Sequence, residues 1–284
     1  MYTVGLSTCS KTINEELFKL YANAGIKAME ISADYEVLDS LDANYVKKLA
    51  NEYGVNLWSY HLPFWTFDLF DITATDCEQR KQNVKRYEKY IIEAAQMGIT
   101  KFVLHPSGEP IEDNERKERL EYSKESIFTL SQIAKQNGGV LAVEDLPRSC
   151  LGNKSCEILE LISVDSSIGV CFDTNHLLNE DIVQFIKNVG SRIITTHVSD
   201  YDFINERHWL PGEGKIDWQS VLKALKDVGY NGPWLYEIGF KSPKTIIRER
   251  DLTCADFVKN ANELFEGKNP TVFGKPKENL GFWE

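Results

Sequence analysis

Seven ionisable residues of this 284-residue chain share one setting. Glu30, His61, His105, Glu144, Asp173, His197 and Glu237 each close a short apolar or β-branched run: IKAME, NLWSYH, KFVLH, GVLAVE, VCFD, RIITTH and WLYE. All five histidines of the chain fall at such run ends or in the segments just after them. One carboxylate or imidazole in such a place is commonly a satisfied structural group. Seven gathered together would repel or desolvate one another unless a cation held them. A mixed carboxylate–imidazole set suits a divalent ion such as Mn, Co, Fe, Zn or Mg. The chemistry to expect is therefore metal-assisted.

The elements that position these groups can be read from the pattern. Strands are predicted near 2–8, 26–31, 55–61, 100–105, 139–144, 168–173, 192–198 and 233–238. Most are continuous rather than alternating apolar runs, as parallel strands covered on both faces require. Helices fit between them at about 14–24, 42–53, 76–97, 115–137, 155–162, 180–189, 217–228 and 245–265. Asn14 and Asp42 are predicted N-caps. Glycines at 25, 54, 98, 138, 190 and 229 stand where helices should stop. Eight β-then-α units predict one (β/α)8 TIM barrel over 1–265, with an irregular extension over 266–284. An open doubly wound sheet would carry a Gly-rich phosphate turn after its first strand, and Ser7-Thr8-Cys9-Ser10 is not one. In a barrel the site lies at the carboxyl ends of the strands, where the seven residues stand. Phe282 and Trp283 of the extension are expected to pack on the barrel or on a neighbouring subunit.

Bulk properties narrow the partners. Apolar residues make up 42% and charged residues 26% of the chain, a folded composition. The net charge is −11 and no basic run is present, which disfavours a nucleic-acid partner. No apolar run approaches the roughly 18–20 residues that span a bilayer. Residues 1–6 lack a basic leader, and the six cysteines are scattered with no C-x-x-C pair. Both features suggest a reduced, cytoplasmic setting.

Four strings add specificity: V-E-D-L-P (143–147), F-D-T-N-H (172–176), H-V-S-D (197–200) and E-R-H-W-L-P-G-E-G (206–214). In this order they resemble the xylose-isomerase-like TIM barrels, the superfamily of sugar isomerases, epimerases and endonuclease IV. The resemblance to ketose 3-epimerases implies one divalent metal, with Mn, Co, Mg or Zn the candidates, held by Glu144, Asp173, His197 and Glu237. It also implies that Glu144 and Glu237 form the acid/base pair of a proton abstraction next to a carbonyl. His61, His105, His176, Arg207 and His208 become the substrate-binding candidates. A further substrate-contacting glutamate of the epimerases has no counterpart, since 146–150 reads Leu-Pro-Arg-Ser-Cys. The three-zinc pattern of endonuclease IV is similar to His61, His105, Glu144, Asp173, His176, His197, Glu206, His208 and Glu237. That likeness makes Glu206 and His208 candidates for an additional metal. The resemblance thus implies a metal-dependent isomerase or epimerase of a small sugar, keto-sugar or sugar phosphate. An inosose or keto-sugar dehydratase and a zinc-dependent abasic-site endonuclease are the alternatives. Barrels of this group often pair, so a homo-oligomer is consistent with it.

Several neighbours have two readings. Trp58, Trp65 and Phe67 could wall a sugar ring or belong to the core, and Trp209 could sit near the mouth. Glu30 could orient a substrate hydroxyl or pair with a cation. Asp200 and Asp202 read as solvated loop acids more readily than as supports for His197.

Overall fold

The structure, a computed structural model, describes residues 1–282. Eight parallel strands form its centre: β1 (Val4–Ser7), β2 (Ala28–Ile31), β3 (Asn56–His61), β4 (Lys101–Leu104), β5 (Val140–Glu144), β6 (Gly169–Asp173), β7 (Ile193–His197) and β8 (Trp234–Tyr236). From β1 to β7 each strand pairs with the next along the chain, and β1 also pairs with β8, Leu6 lying opposite Tyr236. A parallel bridge between Val198 and Tyr236 joins the ends of β7 and β8 and closes the ring. The eight-unit barrel is as the sequence implies.

The strands are wrapped by α1 (Glu15–Ala24), α2 (Tyr35–Asp39), α3 (Ala43–Tyr53), α4 (Phe67–Phe70), α5 (Cys77–Met97), α6 (Asp113–Gln136), α7 (Ser155–Ile162), α8 (Ile182–Val189), α9 (Trp218–Asp227) and α10 (Cys254–Phe265). The start signals act as expected. Asn14 accepts from the Leu17 amide, and Asp42 from the Asn44 and Tyr45 amides. Gly25 ends α1 at φ 86° and Gly98 ends α5 at φ 91°, a conformation that costs a residue with a Cβ. The short helices α2 and α4 are additions to the expected set, one turn or so within the β2–α3 and β3–α5 connections.

The last helix differs from expectation. Residues 246–248 form a strand, β9 (Ile246–Arg248), and the helix begins only at Cys254. Thr253 and Asp256 make a reciprocal capping box that sets this start. The β-branched pair Ile246-Ile247 instead joins an antiparallel ribbon with β10 (Gly274–Pro276). The extension is thus irregular except where it closes this ribbon. A Cβ at Gly274 would lie 2.7 Å from Arg248 Cγ, so only glycine permits so close an approach. The tail then returns to the loop after β7, where Arg207 donates to the Gly281 carbonyl at 3.0 Å and Asn205 donates to the Phe282 carbonyl. Trp283 lies outside the described residues. Among the described residues, no helix is long and apolar enough to cross a membrane.

Strand alternation divides each strand between helix-facing and barrel-facing residues. Ala142 and Cys171 stand two residues before Glu144 and Asp173, and so share their inward face; with Val103 they form a small apolar cluster apart from the larger barrel–helix core. Small side chains there leave room for the longer ionisable ones above. A register shift between Met29 and Glu30 makes Trp58 the extra residue of β3. Its indole donates to Thr195 Oγ1 at 3.2 Å, and the Lys101 ammonium lies 3.6 Å from the ring centroid. Lys101 opens β4, so Trp58 plugs the barrel towards its amino end and does not wall the mouth.

Candidate metal centre and active site

The barrel carries four candidate ligands to one point. Glu144, Asp173 and His197 close β5, β6 and β7, and Glu237 follows β8 by one residue. One ligating atom from each lies within 4.8 Å of the others. His197 Nδ1 is central, 3.0 Å from Glu144 Oε1, 3.5 Å from Glu237 Oε2 and 3.7 Å from Asp173 Oδ2. Glu144, Asp173 and His197 are fully buried, whereas the Glu237 side chain keeps 14% exposure and is the member open to the mouth.

The donor set fits a divalent cation. Asp173 Oδ1 accepts from the Asn175 amide at 2.6 Å, but Oδ2, buried and turned towards the cluster, has no hydrogen-bond partner. A buried carboxylate oxygen left in that state is costly unless something else satisfies it. Among the described residues, no lysine or arginine forms an ion pair with these three carboxylates. Protons therefore carry the compensation. Burial raises the Glu237 carboxyl to about 7, and Glu144 and Asp173 add to the rise while His197 opposes it. Burial also pushes Glu144 up, but His197 and His105 outweigh it and hold that carboxyl well below its usual range. His61 is driven the other way, since Glu144 overcomes burial and lifts it to about 9. Burial lowers His105.

His61 and His105 crowd the other oxygen of Glu144, with Nε2 atoms 3.1 and 3.2 Å from Oε2. The three residues form a second group whose atoms could hold an ion. Phe64 stacks on His105 with centroids 4.3 Å apart, roofing this side of the mouth. His176 stands at the edge, its Nδ1 2.7 Å from the Asp145 carbonyl and its Nε2 3.0 Å from Glu206 Oε1.

The remaining candidates are placed differently. Arg207 is buried, with Nε 2.9 Å from Asp202 Oδ2 and Nη2 on the Gly281 carbonyl, so its guanidinium anchors the loop and tail. His208 Nδ1 lies 3.3 Å from the Glu237 carbonyl. Glu206 reaches His176 and, through Oε2, Arg148 Nη1 at 2.9 Å. Among the described residues, neither Glu206 nor His208 belongs to a close group of three or more metal-capable side chains. Trp209 is buried, its indole donating to Thr245 Oγ1, and Trp65 is exposed. Asp200 and Asp202 are not solvated. Asp200 takes the Gly212 and Ile216 amides and the Trp218 indole, and Asp202 takes Arg207 and the Ile204 amide, so both shape the loop after β7.

Sequence reasoning passed over two features. Arg148 ties the loops after β4, β5 and β7 together, with Glu109 at 2.6 and 2.7 Å and Glu206 opposite. It falls in the segment where an epimerase glutamate was sought, which was the available signal. Asp145, next to Glu144, is buried, and Oδ1 accepts from the Asp173 amide at 2.8 Å, which braces β5 against β6.

Comparison with known proteins agrees with this architecture. The D-tagatose 3-epimerase-like protein superposes with a TM-score of 0.80 at 23% identity, over 95% of this chain and 98% of that one. The inosose isomerase of Bacillus velezensis is 30% identical over 56% of this chain and 59% of its own length. A protein of Acholeplasma laidlawii named probable endonuclease 4 is 27% identical, over 66% and 69% of the two chains. Residues 18–253 match the profile of the xylose isomerase-like TIM barrel family. With the closed eight-stranded barrel and its matched span, the chain belongs to the xylose isomerase-like TIM barrel family.

Proposed function

We propose that this protein is a divalent-metal-dependent isomerase or epimerase of a small sugar, keto-sugar or sugar phosphate. The observation that carries the reading is the convergence of Glu144 and Glu237 on one His197 nitrogen, at 3.0 and 3.5 Å, with Asp173 beside them. The inosose isomerase and the tagatose-epimerase-like barrel among the similar proteins support the substrate class.

Glu144, Asp173, His197 and Glu237 would hold the ion. When bound, it would polarise a carbonyl oxygen and neutralise the negative charge that grows there. The remaining work belongs to the chain. Glu237, the least buried member, would take a proton from a carbon next to the carbonyl or return one. Glu144, at the end of β5, would do the same from another side. His105 would offer a ring nitrogen to a substrate hydroxyl, whereas His61 and His176 would have to release one of their present partners to do so, and Phe64 helps to exclude water above His105. Loss of a hydroxyl after the same abstraction would make the protein a dehydratase, so product analysis separates that alternative.

The test is solvent deuterium exchange. In D2O with Mn(II), ketoses and inososes should gain deuterium at the carbon next to the carbonyl, read by NMR. Glu237→Gln should abolish both exchange and turnover, and full activity in that variant would reject the role.

A second reading is favoured by the His61–His105–Glu144 group, which gives Glu144 a bridging position between two potential ion sites. A zinc endonuclease would use such an arrangement, and the Acholeplasma relative points the same way. The net charge of −11 opposes a polyanionic substrate. Zinc stoichiometry above one together with nicking of abasic-site DNA would establish this reading in place of the first.

A further inference from the structure

We propose that Glu30, held in place by Ser59, is the positioning residue for His197: it binds the imidazole Nε2–H and leaves the Nδ1 lone pair aimed at Glu144, Asp173 and Glu237. The proposal rests on the reading of that cluster as a divalent-ion site.

Glu30 closes β2 with no exposure to solvent. Its two oxygens lie 2.9 and 3.0 Å from His197 Nε2, and Oε2 has hydrogen-bonding geometry. Ser59 Oγ donates to that oxygen at 2.7 Å. Among the described residues, no lysine or arginine pairs with Glu30, so it is not the ordinary partner of a cation. Nor does it face a substrate, because both oxygens are turned to His197 inside the barrel, with no exposure to solvent. An imidazole has two ring nitrogens, and only a deprotonated one can ligate. A carboxylate on the far nitrogen fixes the tautomer, the ring plane and the basicity of the near one.

The backbone is shaped for this contact. The register shift that makes Trp58 an extra residue sets Glu30 opposite Ser59, whereas an unshifted ladder after Met29–Leu57 would set it opposite Trp58. One residue of slip exchanges the two faces of a strand. The bulge therefore places Ser59 on the inward face that also carries His61, in reach of Glu30.

The experiment compares wild type, Glu30→Gln, Glu30→Ala and Ser59→Ala after chelator stripping. Mn(II) affinity is measured by titration, the Co(II) absorption spectrum is recorded, and thermal unfolding of the metal-free proteins is followed separately. Glu30→Ala should weaken Mn(II) binding by about 10- to 100-fold and alter the Co(II) spectrum. Glu30→Gln, whose amide oxygen can still accept the Nε2–H, should recover part of the loss, and Ser59→Ala should lose less than Glu30→Ala. A purely structural role would lower only the metal-free melting temperature. Wild-type Mn(II) affinity in Glu30→Ala overturns the proposal. If that variant fails to fold, wild-type affinity in both Glu30→Gln and Ser59→Ala overturns it. A wild-type protein that takes up no Mn(II) instead overturns the metal reading on which the proposal stands.

Discussion

Two ionic centres lie among the carboxyl-end loops of the barrel, built on opposite rules. Glu213 and Arg248 face each other with no exposed side-chain surface, their atoms 2.5 and 3.2 Å apart, and Glu213 also takes the Leu210 amide. One positive charge meets one negative charge. At the mouth, Glu144, Asp173 and Glu237 crowd a single histidine nitrogen, and Asp173 Oδ2 has no partner. A matched buried pair needs no further charge, although Arg248 Nη1 is itself left without a hydrogen-bond partner. A carboxylate cluster with no lysine or arginine beside it is offset here by protons on Glu237 and on the neighbouring histidines, and a divalent cation would take their place. The first centre is architecture, and the second is the one we propose as an ion site.

The largest effect expected from that contrast falls on Glu144, which belongs to three of the four ion-capable groups among the described residues. Glu144→Gln should lower kcat/KM by about 10²- to 10⁴-fold, the usual contribution of a positioned acid–base group, while circular dichroism shows a folded barrel. Retained turnover would break the distinction between the two centres. The converse substitution is Arg248→Met. It leaves Glu213 buried and unpaired at a cost of about 3–5 kcal/mol, seen as a large fall in melting temperature. Mn(II) affinity of the molecules that remain folded should be unchanged, and a parallel loss of affinity would merge the two centres into one.

How far each centre could be read in the sequence differs for a physical reason. The mouth cluster is legible because a (β/α)8 barrel aligns its strand ends, so residues as far apart as Glu30 and Glu237 needed only the strand pattern to be gathered. The Glu213–Arg248 pair was illegible. It depends on Ile246–Arg248 leaving a predicted helix to pair with Gly274–Pro276, a long-range choice that local periodicity does not record. Asp200 was misread for a related reason: loop acids are usually solvated, and here a loop folds around one. The position of Trp58 required the bulge, which is invisible until β2 and β3 are in register.

Acidity gives a further test. In the metal-free protein Glu237 is raised to about 7 and His61 to about 9, so the folded state holds protons that the unfolded chain has already released. Stability from such groups is present below their unfolded values and is lost as pH rises through the folded ones. The lowered Glu144 contributes in the opposite sense, losing stability only in acid, and His105 offsets part of the trend near its ordinary value. The metal-free melting temperature should therefore fall between about pH 6 and pH 9, and Mn(II) should flatten the curve while releasing protons on binding. A metal-free protein that gains stability across that range would contradict the crowding at the mouth.

The smallest effect separates burial from matching. Arg250 and Asp256 form another matched pair, 2.6 and 2.9 Å apart, but the arginine side chain is 52% exposed. Solvent already stabilises that guanidinium, so the pair contributes little beyond what water supplies. Asp256 also keeps its bonds to the Thr253 amide and hydroxyl when the arginine is gone, and the α10 cap survives. Arg250→Ala should thus shift the chemical-denaturation midpoint far less than Arg248→Met does. A cost as large as that of Arg248→Met would mean that pairing, and not the removal of water, sets the strength of this ribbon's ionic contacts. The buried charge at Glu213 would then lose its standing as the structural counterpart of the mouth.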